Sequence, residues 1–248
     1  MRWRPSQSIR AVAVALIYRG ADVLVTAVKD DSGSIKGWRP LGGAIEFGES
    51  AEEAVAREFL EETGSPIRCI KQLCALENLY THEGSRGHEI VFAFEAVSSE
   101  PDLQNGSSFL DGGVSNEAAW RPVREFAAGV QRLFPEKLAA YLDVAGALRR
   151  EMNADLRFAL KAKDATAISA LRSVMAALDN ASAVPIGTVA APVFGRSGDV
   201  PRKDLSAADC QAIIIAEVRA RAVAAEEYAR LGQGDAAARL RAEQAVID

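Results

Sequence analysis

The spacing of apolar residues changes character along this chain, and each change predicts a different element. Residues 9–17 and 23–28 are nearly continuous β-prone apolar runs flanking Tyr18-Arg-Gly-Ala-Asp22, a pattern that predicts a hairpin. Gly33, Gly37, Gly42, Gly43 and Gly48 crowd the next stretch, so residues 30–48 are expected to be mostly loop. Ser50 followed by Glu53 is a capping-box pair and predicts a helix from residue 51. Gly64 stands where a left-handed cap would end that helix, and Pro66 discourages its continuation. Ala56, Phe59 and Leu60 are the expected anchoring face. Residues 67–79 and 88–97 read as strands joined by Tyr80-Thr-His-Glu-Gly-Ser-Arg-Gly87. Residues 98–116 read as a long surface loop, residues 119–123 as a short strand, and residues 130–143 as helical.

Beyond residue 147 no strand pattern survives. Residues 148–163 and 165–182 have helical periodicity, with Asp164 placed to cap the second helix. Residues 184–201 are rich in small residues, glycine and proline. Ser206-Ala-Ala-Asp209 opens a long predicted helix ending at Gly232, and Asp235 is placed to cap a final one through Ile247. Much of this propensity comes from alanine. Two grammars in 248 residues give a boundary at 1–146 and 147–248.

Chemistry concentrates in Gly43-Ala-Ile-Glu-Phe-Gly-Glu-Ser-Ala-Glu-Glu-Ala-Val-Ala-Arg-Glu-Phe-Leu-Glu-Glu-Thr-Gly64. On the predicted helix, Glu58, Glu61 and Glu62 share one face at i, i+3 and i+4. Like charges so spaced repel and favour a compensating cation. Clustered oxygen ligands suit a hard ion such as Mg2+ or Mn2+, which also binds phosphates. Three glutamates alone describe a solvated acidic face as well as a metal site. Gly43, Glu49, Arg57 and Gly64 in fixed register shift the balance towards a site.

The form G-x5-E-x7-R-E-φ-x-E-E-x-G resembles the signature of the Nudix hydrolases, which split diphosphates linked to another group. The resemblance implies an α+β fold, a Nudix α/β/α sandwich, followed here by a small all-α domain. It implies that Glu58, Glu61, Glu62 and the Gly43 carbonyl hold Mg2+ or Mn2+, and that Arg57 and Glu49 orient the carboxylates. Glu58 is then the usual acceptor of the proton from an attacking water, with a glutamate from a later loop as the alternative. The substrate would be a nucleoside diphosphate derivative. Two departures stand out: Ser65 replaces an aliphatic residue, and Leu41 separates Pro40 from Gly42-Gly43.

Residues outside the signature are candidates for substrate contacts. His88 and Glu89 begin a strand, so either side chain could face a pocket. Glu117 lies shortly before Trp120, near where relatives place another ligand. Arg39 could reach a phosphate or be a plain surface arginine. Tyr80 and His82 sit in an expected loop that could touch a base or sugar. Trp38 and Trp120 read as packing residues with a satisfied polar edge.

The helical half resembles the GatB/YqeY family through Asp155-Leu-Arg-Phe-Ala-Leu-Lys-Ala-Lys-Asp164, Ala170-Leu-Arg172 and Ala176-Ala-Leu-Asp-Asn180. Val200-Pro-Arg-Lys203, Glu217-Val-Arg-Ala-Arg221, Glu227-Tyr-Ala-Arg-Leu-Gly-Gln-Gly-Asp235 and Leu240-Arg-Ala-Glu243 continue the pattern. GatB-type tails are associated with tRNA, so that resemblance implies tRNA as a partner through 147–248. A packing or homo-oligomer module is the competing expectation.

Composition trims these options. Residues 1–148 carry 15 basic and 21 acidic side chains, and residues 149–248 carry 14 and 13, so neither half is strongly basic. No apolar run reaches membrane-span length, and the start at Met1 lacks a secretory pattern. Cys69, Cys74 and Cys210 fit neither a disulfide framework nor a zinc site. A cytoplasmic hydrolase is the leading expectation. A nucleotide-sensing or tRNA-associated regulatory protein without significant turnover is the alternative, and degenerate signature glutamates would have favoured it.

Overall fold

The computed structural model describes residues 4–98, 107–111, 114–183 and 203–248. The chain divides into two compact units, Met1–Asp143 and Val144–Asp248. The first is mixed α+β. Its strands are β1 (Ile9–Arg19), β2 (Asp22–Lys29), β3 (Ile35–Arg39), β4 (Leu41–Ala44), β5 (Ile67–His82), β6 (Ser85–Ser98), β7 (Ser107–Asp111) and β8 (Val114–Pro122). Helix α1 (Ala51–Thr63) lies between β4 and β5, and α2 (Val123–Ala127) and a 3-10 turn (Glu136–Tyr141) follow β8. The main sheet path runs β5-β6-β1-β2-β8-β7, with β3 paired to β2 and β4 to β1. Only β1 and β6 pair in parallel among the described strands, with Ala13 opposite Phe92 and Ala15 opposite Phe94. The predicted β1–β2 hairpin forms, and Gly20 at φ 58° supplies the left-handed position its tight turn needs.

Alternation along the sheet builds the core that seats α1. Ala13, Ala15 and Ile17 of β1 join Phe94 and Ala96 of β6 and Trp120 of β8, all buried. Ala54, Val55 and Phe59 of α1 pack onto them, each 0% exposed. Burying a side chain such as Phe59 stabilises by roughly 1.5–3 kcal/mol. The expected anchoring face was rotated. Leu60 is 48% exposed and Ala56 only half-buried, whereas 55, 59 and 62 follow the i, i+4, i+7 stripe. The terminal signals hold. Ser50 and Glu53 form a reciprocal capping box, and Gly64 closes the helix at φ 72°.

Residues 30–48 are loop at ten of nineteen positions, and β3 and β4 take up the other nine. Two of their glycines mark close backbone approach. A Cβ on Gly37 would lie 2.8 Å from the Arg132 carbonyl oxygen, and one on Gly42 would lie 2.9 Å from Val14 Cα. Residues 130–143 are not a continuous helix. Trp38 N–H donates to the Arg132 carbonyl (2.9 Å) and Phe134 N–H to the Trp38 carbonyl (2.7 Å), so 132–134 run along β3. Pro135 also disfavours helix at the residue before it. Within 98–116, β7 pairs with β8, which replaces loop by ladder at 107–111; residues 99–106 and 112–113 lie outside the described residues. Strands β5 and β6 continue their pairing to His82 opposite Ser85, so the expected 80–87 loop shrinks to a turn at Glu83-Gly84.

The second unit consists of α3 (Val144–Ala162), α4 (Ala165–Ser182), α5 (Ala207–Arg230) and α6 (Gly234–Ile247). Asp164 caps α4 by accepting from Ala167 N–H at 3.0 Å, and Ser206 and Asp209 form a capping box on α5. The α6 cap position is Gln233 and not Asp235, which lies in the first turn of the helix. Met152, Leu171, Val174, Leu178 and Cys210 form its core. A polar tie crosses the bundle: Ser173 donates to Glu217 at 2.8 Å, and the buried Arg221 pairs with Glu217 at 2.8 Å and Glu243 at 3.6 Å. Residues 184–201 lie outside the described residues. No helix among the described residues is long and apolar enough to cross a membrane.

Candidate active site

Helix α1 and strand β4 meet through a glycine and a glutamate. Gly43 pairs with Ala13 in the β4–β1 ladder, which fixes its backbone. The Glu58 carboxylate rests directly on it, so that a Cβ at position 43 would fall 2.6 Å from Glu58 Oε1. Only glycine leaves this space open. One helical turn later, Glu62 is buried at 7% exposure and accepts from Gly42 N–H at 3.3 Å. Two adjacent glycines therefore let two carboxylates approach one short strand, and Leu41, paired with Ala15 and 1% exposed, anchors that strand in the core.

Arg57 organises the remaining acids. Its Nη2 donates to Glu49 Oε1 at 2.7 Å and to the Ala44 carbonyl at 3.0 Å, and its Nε donates to Glu49 Oε2 at 3.1 Å. This planar fork ties the loop before α1 to the end of β4. Its Nη1 lies 3.2 Å from Glu58 and 3.4 Å from Glu61. The Arg57 bond, with the Glu46 backbone N–H, holds the Glu49 carboxyl below the usual carboxylate range. The same bond with Glu49 raises Arg57, followed by its bond with Glu58. The guanidinium thus stays charged at the centre of Glu49, Glu58 and Glu61.

The donor set fits a hard divalent ion in kind: carboxylate oxygens, one of them buried, beside a backbone the Gly43 cradle leaves accessible. The acids are spread around Arg57 and Gly42, and among the described residues no three His, Cys, Asp or Glu side chains converge as ligands. Ser65 is buried at 6% behind the helix end, where its N–H donates to Thr63 Oγ1, so its departure concerns packing.

The outlying candidates fall in different places. Arg39 ends β3 and donates from Nη1 to the Gly42 carbonyl at 3.4 Å, which brings it to the glycine pair. Glu89 accepts from Tyr80 Oη and Asn78 Nδ2, both at 3.1 Å, and lies 3.9 Å from Arg10. His88, its neighbour in the strand, points the other way and meets Glu77 at 3.0 Å. Glu117 is exposed on β8 and alternates with Ala118 and Trp120, which face the α1 core. Tyr80 is half-buried; burial and then Glu89 push its phenol up, while Arg10 and Arg39 are near enough to oppose this. His82 belongs to β5, and its imidazole is held down by burial and then by Lys36. Trp38 donates Nε1–H to Gln131 at 3.0 Å, and Trp120 packs under the Arg19 guanidinium at 4.3 Å. The Arg10–Tyr80–Glu89 grouping escapes a linear reading. It becomes visible only once the β5–β6 register sets Asn78 opposite Glu89.

Comparison with known proteins adds the family context. The family description "NUDIX domain" matches residues 8–142, so α3 to α6 lie outside the match. The solution structure of the E. coli ORF135 protein is 21% identical, covering 57% of this chain and 91% of that one at a TM-score of 0.36. The MutT NUDIX hydrolase from Burkholderia pseudomallei is 22% identical, covering 48% and 86% at 0.37. A NUDIX hydrolase from Nitrosomonas europaea is 24% identical, covering 53% and 86% at 0.38.

Proposed function

The match over residues 8–142 spans more than half of the chain, which therefore belongs to the NUDIX family of diphosphate hydrolases, and from that premise we propose that it is a Mg2+- or Mn2+-dependent hydrolase of a nucleoside diphosphate linked to another moiety. The observation that carries this reading is the Gly43–Glu58 contact, with Arg57 bound to Glu49 and Ala44 beside it. It supports Gly43, through its carbonyl, and Glu58, Glu61 and Glu62 as the residues that would hold the ion. Bound there, a divalent ion neutralises diphosphate charge and lowers the pKa of a water molecule. Glu58 is the proposed acceptor of the proton that water releases as it attacks phosphorus. Arg57 and Glu49 act as positioning residues, because their bonds fix the start of α1 relative to β4 and so fix where Glu58 and Glu61 begin. Arg39 and Glu89 are proposed substrate contacts, the first beside the glycine pair and the second within the Tyr80 grouping. His88, turned towards Glu77, and Glu117, exposed on β8, are proposed from their place in the sequence alone.

A panel of nucleoside diphosphate derivatives and nucleoside triphosphates with Mg2+ or Mn2+, followed by phosphorus NMR, tests the reading. Two phosphorus-bearing products from at least one class support it, and no hydrolysis of any class removes it. For the helical unit, the GatB/YqeY resemblance is supported by sequence pattern alone. Titrating the full chain with tRNA at two salt concentrations tests the associated role. Absent or salt-insensitive binding contradicts an electrostatic contact with RNA.

A further inference from the structure

The outward face of α5 is self-complementary. The inward face is committed to the bundle through Cys210, Arg221 and Ala225, each buried. The opposite face presents Ala212, Ala216, Arg219, Val223 and Glu227 along the helix, and Val223 is 65% exposed. A two-fold axis placed through Val223 and perpendicular to α5 relates positions equally far on either side. Four residues before is Arg219 and four after is Glu227; eight before is Ile215 and eight after is Leu231. Ile215 and Leu231 are 40% and 66% exposed. Two antiparallel copies would thus set each Arg219 against the other copy's Glu227, with Val223 on Val223 at the centre. Ile215 and Leu231 would meet at the rims.

The remaining positions agree with this register. Ala220 meets Glu226, Ala224 meets Ala222, and Ala216 meets Arg230, which already has Glu226 at 3.6 Å within its own helix. No like charges are opposed between residues 215 and 231. A parallel pairing would set Arg219 on Arg219 and Glu227 on Glu227, so the charges select the antiparallel arrangement. The alanines let the two backbones approach closely. Arg219 has no opposite charge three or four residues away that it would have to abandon, and the one such neighbour of Glu227, Arg230, lies 3.6 Å from Glu226.

We propose that the protein forms a two-fold symmetric homodimer through antiparallel α5 helices centred on Val223. The segment from 215 to 231 is about 24 Å long at the helical rise, which makes a small interface and a dimer that dissociates at micromolar concentration. Sedimentation of the full chain from about 1 to about 200 µM reads this directly. The mass is expected to rise from 26.5 kDa towards twice that value. Arg219→Glu and Glu227→Arg should each weaken association about tenfold, and the double variant should restore it to within about threefold. Val223→Asp should abolish association with an unchanged circular dichroism spectrum. Val223→Cys should give a disulfide-linked dimer on oxidation, because the axis sets the two sulfurs together. A mass that stays at 26.5 kDa overturns the proposal, as does a double variant no better than the singles. If the wild type is monomeric and Val223→Asp lowers the melting temperature, the chain itself covers this face, and the dimer is excluded.

Discussion

The Glu58 carboxylate occupies the space that a side chain on Gly43 would need, with Oε1 2.6 Å from the position of an added Cβ. The contact ties the signature helix to β4 and sets two of the proposed ligands, Gly43 and Glu58, side by side. Its neighbour Gly42 is glycine for a different reason. Gly42 has φ 130°, and a Cβ there would press on the backbone of Ala13 and Val14. Gly43→Ala is therefore expected to displace a rotatable side chain, whereas Gly42→Ala strains two backbones. The first should cut turnover by about a hundredfold with little loss of stability, and the second should destabilise the fold by about 1–3 kcal/mol. Thermal melts beside steady-state rates check the contrast. Equal melting losses for the two variants would contradict it.

Arg57→Lys keeps the charge and removes the fork. A lysine cannot bond both Glu49 oxygens and the Ala44 carbonyl together, so the start of α1 loosens relative to β4. The account expects kcat to fall by about 10- to 100-fold, the usual cost of losing a partner that orients metal ligands. KM should change much less. An unchanged kcat would show that Arg57 serves only as a counter-charge.

Glu49 makes a pH-dependent contribution to stability. Its folded carboxyl titrates below the ordinary carboxylate value because Arg57 and the Glu46 N–H bond the ionised form. The unfolded chain therefore takes up this proton first as pH falls. The contribution is fully present above about pH 4.5 and is lost as pH drops through the folded value. Melting curves of wild type and Glu49→Gln should differ by a constant amount above that range and converge below it. A gap that widens as pH falls would have the wrong sign.

The helix that carries the candidate site was legible because local rules set its ends. Ser50, Glu53 and Gly64 bound α1 through hydrogen bonds and a left-handed cap, and both depend on near neighbours. The errors came from long-range contacts. Leu60 lost its predicted burial because the sheet, not the helix, decides which stripe faces inward. Gly37 and Gly42 looked like loop residues and proved to be strand positions where another backbone comes close. The stretch before Pro135 looked helical but pairs along β3 through Trp38. His88 and Glu89 were adjacent in sequence, and strand alternation sends them to opposite faces. None of these outcomes is encoded within a few residues.

The most direct test compares wild type with Glu61→Gln and Glu62→Gln on whichever nucleoside diphosphate derivative is turned over, at saturating Mg2+ or Mn2+. Each substitution keeps the side-chain shape and removes one charge from the proposed ligand set. The account predicts a loss in kcat of about two to four orders of magnitude in both, with folded structure retained. Full activity in either variant would contradict the claim that these carboxylates hold the ion that drives hydrolysis.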